Sequence, residues 1–567
     1  MRHRSKCRSA RIWTLREGTI RNHTSIWAAL RRKGYRGRRE GETWLEAIGE
    51  TDRPGAILRG VRTWSLYVTQ AVVLGLVSAT AVYNLEALQY RFGGYDLSPL
   101  IDVGWRVLSG QAPNRDFVCT FPPLLYLIAA GAFRMWGVEW HSLALAGSLC
   151  AVLLTLLGLR VCALLRAPVG QSSAALASVV FGAAQMLPLL VVGHPWHSAL
   201  SASVAAYTLL ASYAVVRNRK AGAGVRWECL AHAGVGMALL LISKPNSAWP
   251  AMLVCLAALA LARVPVWTLT SMVAAGAAVD CLLLRAVHTD LLAMAWTDVR
   301  LTGRFVPSRI ALGIFEDPSV AGGLATFVVF LLIAPLLGPM ARLAWAERRR
   351  LFRDPALVLA TGGCAVALLG FCTDVEVKIV DTPPLLIGSL LLALESGEGL
   401  IPHRRSLLRS AAGLTVVAIF LSATRARMQF VGPWAEDSCG ARVELRDAFF
   451  GEFYGCAPFG GVLAETDAAL AMHPEAKVFF GSRMEFLYAR DRIRSPEQLP
   501  LWWDPGTSYP LAMEAEVASA WRDHGFDLLM FPRSERVGIP ARILNDMDRD
   551  YVISPGTKYV DVYLRRR

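Results

Sequence analysis

Apolar stretches long enough to cross a membrane recur between residues 61 and 424, and this repetition constrains the fold more than any other feature. A hydrocarbon core about 30 Å thick needs a helix of about 17 to 25 apolar residues. The chain is 54% hydrophobic and 18% charged, which is too apolar for an ordinary soluble multidomain protein. We therefore predict a polytopic α-helical membrane protein with about 11 to 13 transmembrane helices. The predicted spans are 64–85, 141–160, 170–190, 196–216, 228–243, 246–263, 265–285, 320–341, 355–372, 379–395 and 408–424.

Positive charge predicts how these spans are oriented. Much of the net charge of +14 lies near the N-terminus and in short loops, which favours membrane orientation over nucleic-acid binding. Residues 121–137 are ambiguous, but if they lie in the membrane interface, every basic loop between spans falls on the cytoplasmic side. We therefore predict about eleven crossings of the inner (plasma) membrane, a cytoplasmic N-terminus and an exoplasmic C-terminus.

The two ends of the chain differ from the apolar middle. Residues 1–60 are basic and lack an apolar stretch, so they are not a cleaved signal peptide; they are either a disordered cytoplasmic tail or sequence upstream of the true start codon. Residues 425–567 are more polar, and the short runs KVFFG, FDLLMF and YVDVYL alternate with helix-like segments, as in a small α/β domain. On the oxidising side of the membrane, Cys439 and Cys456 either form a disulfide or remain free thiols.

A polar stretch, GGYDLSPLIDVGWRVLSGQAPNRDFVCTFPP (93–123), directly follows the first span. Ser98 and Pro99 predict the N-cap and the first position of a helix. Asp102 and Arg106 stand four residues apart on that helix, the spacing of an ion pair on a helix surface. The alternative is that both bind substrate.

Two other aspartates of this stretch lie outside the predicted helix. Asp96 precedes the helix in a Gly-Gly-Tyr turn without a charged neighbour within four residues, so it is either a turn residue or a functional carboxylate. Asp116 follows Arg115 and precedes an aromatic-proline run, where it either packs the loop or belongs to a site.

The segment YDLSPLIDVGWRVLSGQAPNRDFVCTFPPLLYLIAAGAFRMWG resembles the first exoplasmic loop of GT-C-fold glycosyltransferases, in the branch of the protein O-mannosyltransferases and lipid A aminoarabinose transferases. The family pattern is an Asp-Glu pair, an amphipathic helix, Gly-x-x-Pro-x-x-Asp-Phe and Pro-Pro-Leu. The matching residues are Asp96, Gly110, Pro113, Asp116, Phe117, Pro122, Pro123 and Leu124. Leu97 departs from the pattern, because the family has its second acidic residue there. The resemblance implies a GT-C-like domain over 61–424, with a catalytic outer loop at 86–137.

The resemblance also implies a reaction. Such enzymes take a sugar from a polyprenyl phosphate and pass it, with inversion, to a hydroxyl of a lipid, glycan or protein acceptor. Asp96 matches the catalytic base of the family, and Asp116 would position the acceptor or support Asp96. A carboxylate at the membrane interface is partly desolvated, which raises its basicity.

Other residues are candidates for binding the donor, the acceptor or a metal. Asp102, Arg106 and Arg115 are candidate substrate-binding residues of the outer loop. His194 and His197 would share one face if their loop is helical, where they either bind a divalent metal ion or cap a helix end. Cations for the lipid phosphate are expected among outer residues that alternatively contact bulk lipid headgroups: Lys244, Arg300, Arg304 and Arg309.

Two other functions compete with a transferase. A transporter or flippase of lipid-linked or amphipathic substrates predicts charged residues deep in several spans and two comparable halves, whereas most ionisable residues here lie at span ends. Asp280 is inside a span, but the nearby Arg285 suggests a local ion pair. A noncatalytic envelope assembly module acting through the C-terminal domain would leave the carboxylates of the outer loop without a role.

Overall fold

The structure is a computed structural model that describes residues 40–87, 92, 97–169, 171–222, 226–289, 292, 345, 353–373, 442–503, 508–533 and 539–566. The chain divides into two units, Met1–Ser65 and Leu66–Arg567. The contacts that define the fold and the site lie within the second unit.

Apolar sequence between residues 40 and 373 forms helices. They are α1 (Glu40–Ala87), α2 (Leu97–Leu108), α3 (Pro123–Trp136), α4 (Trp140–Val169), α5 (Gln171–Val191), α6 (His197–Lys220), α7 (Trp227–Leu241), α8 (Pro245–Leu261), α9 (Val266–Arg285) and α10 (Pro355–Thr373). Because α1 begins at Glu40, residues 40–60 are helical, and the predicted disorder does not extend over them.

Five segments of the described chain are long and apolar enough to cross a membrane: Trp64–Ala87, Trp140–Arg166, Ser173–Leu190, His197–Lys220 and Val266–Arg285. Shorter apolar helices accompany them at Pro123–Trp136, Trp227–Leu241, Pro245–Leu261 and Pro355–Ala367. Each span predicted before residue 286, and the one at 355–372, coincides with a helix. The spans predicted at 320–341, 379–395 and 408–424 lie outside the described residues.

The helices pack closely where a residue is small. A Cβ on Gly236 of α7 would lie 2.3 Å from the Thr208 hydroxyl oxygen of α6, so only glycine permits this approach. Large apolar side chains such as Leu76 of α1 and Leu282 of α9 are exposed, which is typical of a surface that faces lipid.

One end of the helix bundle is basic. Lys220, at the end of α6, pairs with Asp354 before α10 at 2.7 Å, and Arg160 of α4 pairs with Glu228 of α7. We call this the basic end. The opposite end carries the C-terminal domain, where the Trp140 backbone N–H at the start of α4 donates to the Phe449 carbonyl oxygen. We call it the domain end.

Helix α3 lies at the domain end. Its first turn donates from the Leu124 N–H to the Ile242 carbonyl oxygen, in the turn between α7 and α8, and its last turn leads directly to Trp140. Fourteen residues at about 1.5 Å each span about 21 Å, less than a hydrocarbon core. Both ends of α3 therefore lie at one end of the bundle, as predicted for residues 121–137.

The C-terminal region is the predicted small α/β domain. A hairpin of β1 (Arg442–Asp447) and β2 (Gly451–Cys456) precedes α11 (Ala457–Met472). The remaining elements, in chain order, are β3 (Val478–Phe480), α12 (Phe486–Arg490), a 3₁₀ turn (Leu511–Met513), α13 (Glu514–His524), β4 (Leu528–Pro532), α14 (Ala541–Asp550), β5 (Tyr551–Ile553) and β6 (Val560–Arg565).

The strands after α11 form a four-stranded sheet in the order β3-β4-β6-β5. Strands β3 and β4 are parallel, whereas β6 is antiparallel to both of its neighbours. The three runs predicted as strands coincide with β3, β4 and β6, so this prediction is confirmed. Cys456 is disulfide-bonded, and Cys439, its predicted partner, lies outside the described residues.

The outer loop and the C-terminal domain share one hydrophobic core. Phe92, which follows the first span, lies 4.9 Å from the rings of Phe450 and Phe486 and 5.4 Å from Trp140. A parallel bridge joins Val118 to Pro500. The loop is therefore built into the domain, and this positions the site.

Candidate functional site

A buried ion pair joins α2 to the C-terminal domain. The Arg106 guanidinium donates to Asp102 at 2.7 Å and to the Pro496 carbonyl oxygen at 2.6 Å, and it lies over the Phe117 ring. The Ser495 hydroxyl donates to the other oxygen of Asp102 at 2.5 Å. The side chains of Asp102 and Arg106 are 0% and 2% exposed.

The predicted pairing of Asp102 with Arg106 is confirmed, but its predicted location on the helix surface is wrong. The polar face of α2 is covered by residues 485–496, which the sequence places almost 400 positions away. Burial raises the pKa of Asp102, while Arg106 and Ser495 oppose that rise. The hydrogen-bonding groups of both side chains are directed at these protein partners. Substrate binding by Asp102 and Arg106 is not tested by these contacts and stays a prediction.

Ser98 makes a second polar contact with the domain. It is the second residue of α2, and its hydroxyl donates to Glu485 Oε2 at 2.6 Å and accepts the Phe486 N–H at 3.0 Å. Ser98 is the predicted N-cap of α2, but its hydroxyl accepts the backbone N–H of Phe486, the first residue of α12, instead. Burial raises the pKa of Glu485 to about 7. Its Oε1 is buried and has no hydrogen-bond partner in the described part of the chain.

Asp116 shapes the loop that follows α2. Its carboxylate accepts from the Ala112 N–H at 2.8 Å and from two nitrogens of Arg115 at 2.7 Å each. These bonds hold the pKa of Asp116 below its ordinary value, and the hydrogen bonds from Arg115 have the largest effect. The Asp116 carbonyl oxygen also accepts from the Gln498 N–H. These contacts are those of loop packing, and a role of Asp116 or Arg115 toward substrate stays a prediction.

His194 is buried in the loop between α5 and α6. Its Nδ1 lies 2.9 Å from the Val192 carbonyl oxygen, and burial lowers its pKa to about 3, which keeps the ring neutral. Asn84 of α1 holds this loop by donating to the Gly193 carbonyl oxygen at 2.7 Å. His194 precedes α6 and His197 is its first residue, so the loop is not helical and the condition for a shared helical face is not met.

Lys244 is hydrogen-bonded to the first turn of α6, which begins with His197, at the domain end. The Lys244 amino group donates to the Ser198 hydroxyl at 2.7 Å, and its backbone N–H donates to Ser201, so the turn between α7 and α8 is fixed on the start of α6. The His197 ring packs 5.8 Å from Phe121 of the outer loop.

The C-terminal domain completes this cluster, because Trp502 stacks on Phe121 at 4.9 Å. We call Phe121, His197, Ser198, Lys244 and Trp502 the domain-end cluster. It joins a cation, a hydroxyl, an imidazole and aromatic rings from four parts of the chain. Such a set can bind an anionic headgroup beside an apolar chain.

Some predicted site residues cannot be placed. Asp96, Arg300, Arg304 and Arg309 lie outside the described residues. Within the described ranges, no group of three His, Cys, Asp or Glu side chains could hold a metal ion. Asp280 is buried in α9 and shows no ion pair with Arg285 among the described contacts, so the predicted local pair is wrong.

Sequence reasoning missed the residues that join the elements, namely Asn84, Ser198, Glu485, Ser495 and Trp502. Asn84 carried a signal, because a polar residue near the end of an apolar span needs a partner. Glu485 stands in the apolar run MEFLY (484–488), which indicates burial, but its partner Ser98 lies almost 400 residues away and could not be predicted from that run.

Comparison with known proteins gives one kind of match. No protein-family model and no curated protein matches the chain. Among solved structures, the chain is similar to ArnT from Cupriavidus metallidurans bound to undecaprenyl phosphate, with a TM-score of 0.46 and 13% identity over 87% of this chain and 97% of that one. ArnT from the same organism in the apo state gives the same score and identity, over 86% and 97%. A likeness at this score and identity assigns no ligand and no role to any residue here.

Proposed function

We propose that this chain is a membrane glycosyltransferase that moves a sugar from a polyprenyl-phosphate donor to an acceptor hydroxyl at the outer face of the membrane. The observation that carries the proposal is the domain-end cluster. Lys244 donates to Ser198, the neighbour of His197 in α6, and the His197 ring packs on Phe121 of the outer loop. Phe121 in turn stacks on Trp502 of the C-terminal domain. The basic loops at the opposite end favour placing the domain end outside.

Lys244 is the proposed ligand of the donor phosphate. Its amino group is held at the start of α8 and the neighbouring Ser198 hydroxyl can add a hydrogen bond, a combination suited to a phosphate oxygen. The position at the end of the bundle matches the depth of a lipid headgroup whose prenyl chain lies along apolar helices.

The proposed reaction is a single displacement. The acceptor oxygen attacks the anomeric carbon as the bond from that carbon to the phosphate oxygen breaks. The polyprenyl phosphate leaves with the electron pair, and Asp96 takes the proton of the acceptor hydroxyl. Lys244 stabilises the phosphate charge that develops, and the anomeric configuration inverts. Asp116 positions the acceptor or supports Asp96.

An assay with purified protein and radiolabelled polyprenyl-phosphate sugars tests this proposal. We expect turnover by the wild type and a loss of about 100-fold or more for Asp96→Asn, the range for removal of a general base. Equal turnover by Asp96→Asn would remove the proposed base. Absence of turnover by the wild type with every donor would refute the transferase.

A matched pair of lysine variants tests the phosphate site. Lys244→Ala should raise the KM for the donor about tenfold or more, because a charge-assisted contact of roughly 1.5–3 kcal/mol is lost. Lys220→Ala removes the same charge at the basic end and should leave the KM unchanged. Equal effects of both variants would place the phosphate elsewhere.

Labelling with a membrane-impermeant thiol reagent tests the orientation. Glu452→Cys in the C-terminal domain should be labelled from outside intact cells, whereas Lys220→Cys should be labelled only after the cells are opened. The unsubstituted chain is the background control. The reverse pattern would place the domain end in the cytosol.

A further inference from the structure

Glu485 is a buried carboxyl group to which the proposed reaction assigns no role. It lies between β3 and α12 and is only 2% exposed. One oxygen accepts from Ser98 at 2.6 Å, and the other is buried without a hydrogen-bond partner in the described ranges. A buried carboxyl group with one oxygen unpaired lowers the stability of the folded state, so stability alone does not account for a glutamate at this position.

The contact with Ser98 fixes the start of α2. The Ser98 hydroxyl donates to Glu485 and accepts from the Phe486 N–H, so two bonds hold it between the outer loop and the domain. Ser98 follows the predicted base Asp96 by two residues in the sequence.

We propose that Glu485 is a positioning residue of the transfer reaction, which acts through Ser98 on the chain that carries Asp96. This inference rests on the proposed function. It assigns part of the reaction machinery to the C-terminal domain, and it predicts an ionisation that affects turnover without contact between Glu485 and the substrate.

The charges around Glu485 support such an ionisation. Arg483 lies on its own segment, Asp102 faces it from α2, and Tyr488 of α12 also interacts with it electrostatically. Burial raises the pKa of Glu485 to about 7, so its charge changes near neutral pH. When Glu485 is ionised, the bond from Ser98 becomes charge-assisted and holds the start of α2 more strongly.

The test compares Glu485→Gln with Glu452→Gln, which changes an exposed carboxylate of β2 in the same domain. Gln keeps the size of Glu and an acceptor for Ser98 but removes the ionisation. We expect Glu485→Gln to lower kcat roughly tenfold or more, leave the donor KM within about twofold, and remove an ionisation near neutral pH from the kcat profile. Ser98→Ala should lower kcat similarly, and Glu452→Gln should match the wild type.

Hydrogen exchange over the C-terminal domain separates positioning from folding. The inference requires that Glu485→Gln exchanges like the wild type over that domain. Wild-type kcat and pH profile in Glu485→Gln, with Asp96→Asn inactive, would overturn the inference and leave the proposed function intact. Reduced kcat with an unchanged pH profile would also overturn it, because the role would then be structural. No turnover by the wild type would refute the proposed function, and with it this role.

Discussion

Replacing Arg106 with methionine should loosen the outer loop from the C-terminal domain by about 3–5 kcal/mol, the cost of leaving one partner of a buried ion pair uncompensated. Methionine keeps most of the apolar stem but loses the bonds to Asp102 and to the Pro496 carbonyl oxygen. Asp102 then retains only the Ser495 hydroxyl as a side-chain partner among the described contacts. The double variant Asp102→Leu/Arg106→Met should recover most of the loss, since no buried charge remains.

The loss in Arg106→Met should depend on pH with a defined sign. Burial already raises the pKa of Asp102, and Arg106 opposes that rise. Removing Arg106 raises the pKa further, so the folded state favours protonated Asp102. The destabilisation is therefore smallest at acidic pH and grows as the pH rises through the pKa of Asp102 in the variant.

Hydrogen exchange of residues 97–108 in lipid nanodiscs measures the opening free energy of α2 at several pH values. Arg494→Met is the matched control, because Arg494 pairs with Glu497 on the same segment but the two side chains are 61% and 45% exposed. That control should cost less than about 1 kcal/mol. A loss of similar size in Arg494→Met and Arg106→Met, or one that is independent of pH, would refute this reasoning.

Three further predictions concern stability. Burial raises the pKa of Glu485 from its ordinary 4.5 to about 7. The stabilisation that the protonated carboxyl group gives the folded state is therefore complete below about pH 4.5 and is lost by pH 7, at most about 3 kcal/mol. The free energy of unfolding, measured by denaturation across this range, should fall more steeply with pH in the wild type than in Glu485→Gln. Gly104→Ala would bring a Cβ to 2.9 Å from the Phe133 ring and should lower the melting temperature, at a cost of about 1–3 kcal/mol. Lys220→Ala breaks a half-exposed pair with Asp354 and should cost at most about 1 kcal/mol by the same assay.

Much of the fold follows from local pattern. The period of the apolar residues and the length of each run predicted the helices from α4 to α10, and alternating short runs predicted β3, β4 and β6. The short length of 121–137, together with the charge of the other loops, placed α3 at one end of the bundle. These features depend on residues within one element, which a single sequence displays directly.

The site could be predicted only in part, because its contacts join residues far apart in the chain. Asp102 and Arg106 were found by their spacing, but their burial depends on Ser495 and Pro496. His194 and His197 share a sequence motif, yet α6 begins only at His197. His194 therefore contacts the Val192 carbonyl oxygen, whereas His197 packs on Phe121. Local spacing predicts a pair, whereas burial and partners depend on tertiary contacts.

The shared core of the outer loop and the C-terminal domain bears on the choice between functions. A noncatalytic module acting through an independent domain predicts few contacts between that domain and the rest of the chain, yet Phe92 packs among its aromatic rings. Trp105 donates to the Ile493 carbonyl oxygen, and Arg492 donates to the Val138 carbonyl oxygen, so bonds run both ways across the junction. Separating the two would expose the buried pair Asp102 and Arg106. The domain therefore holds α2 and the described part of the loop after it in place, which is the preorganisation that the proposed reaction requires of its carboxylates.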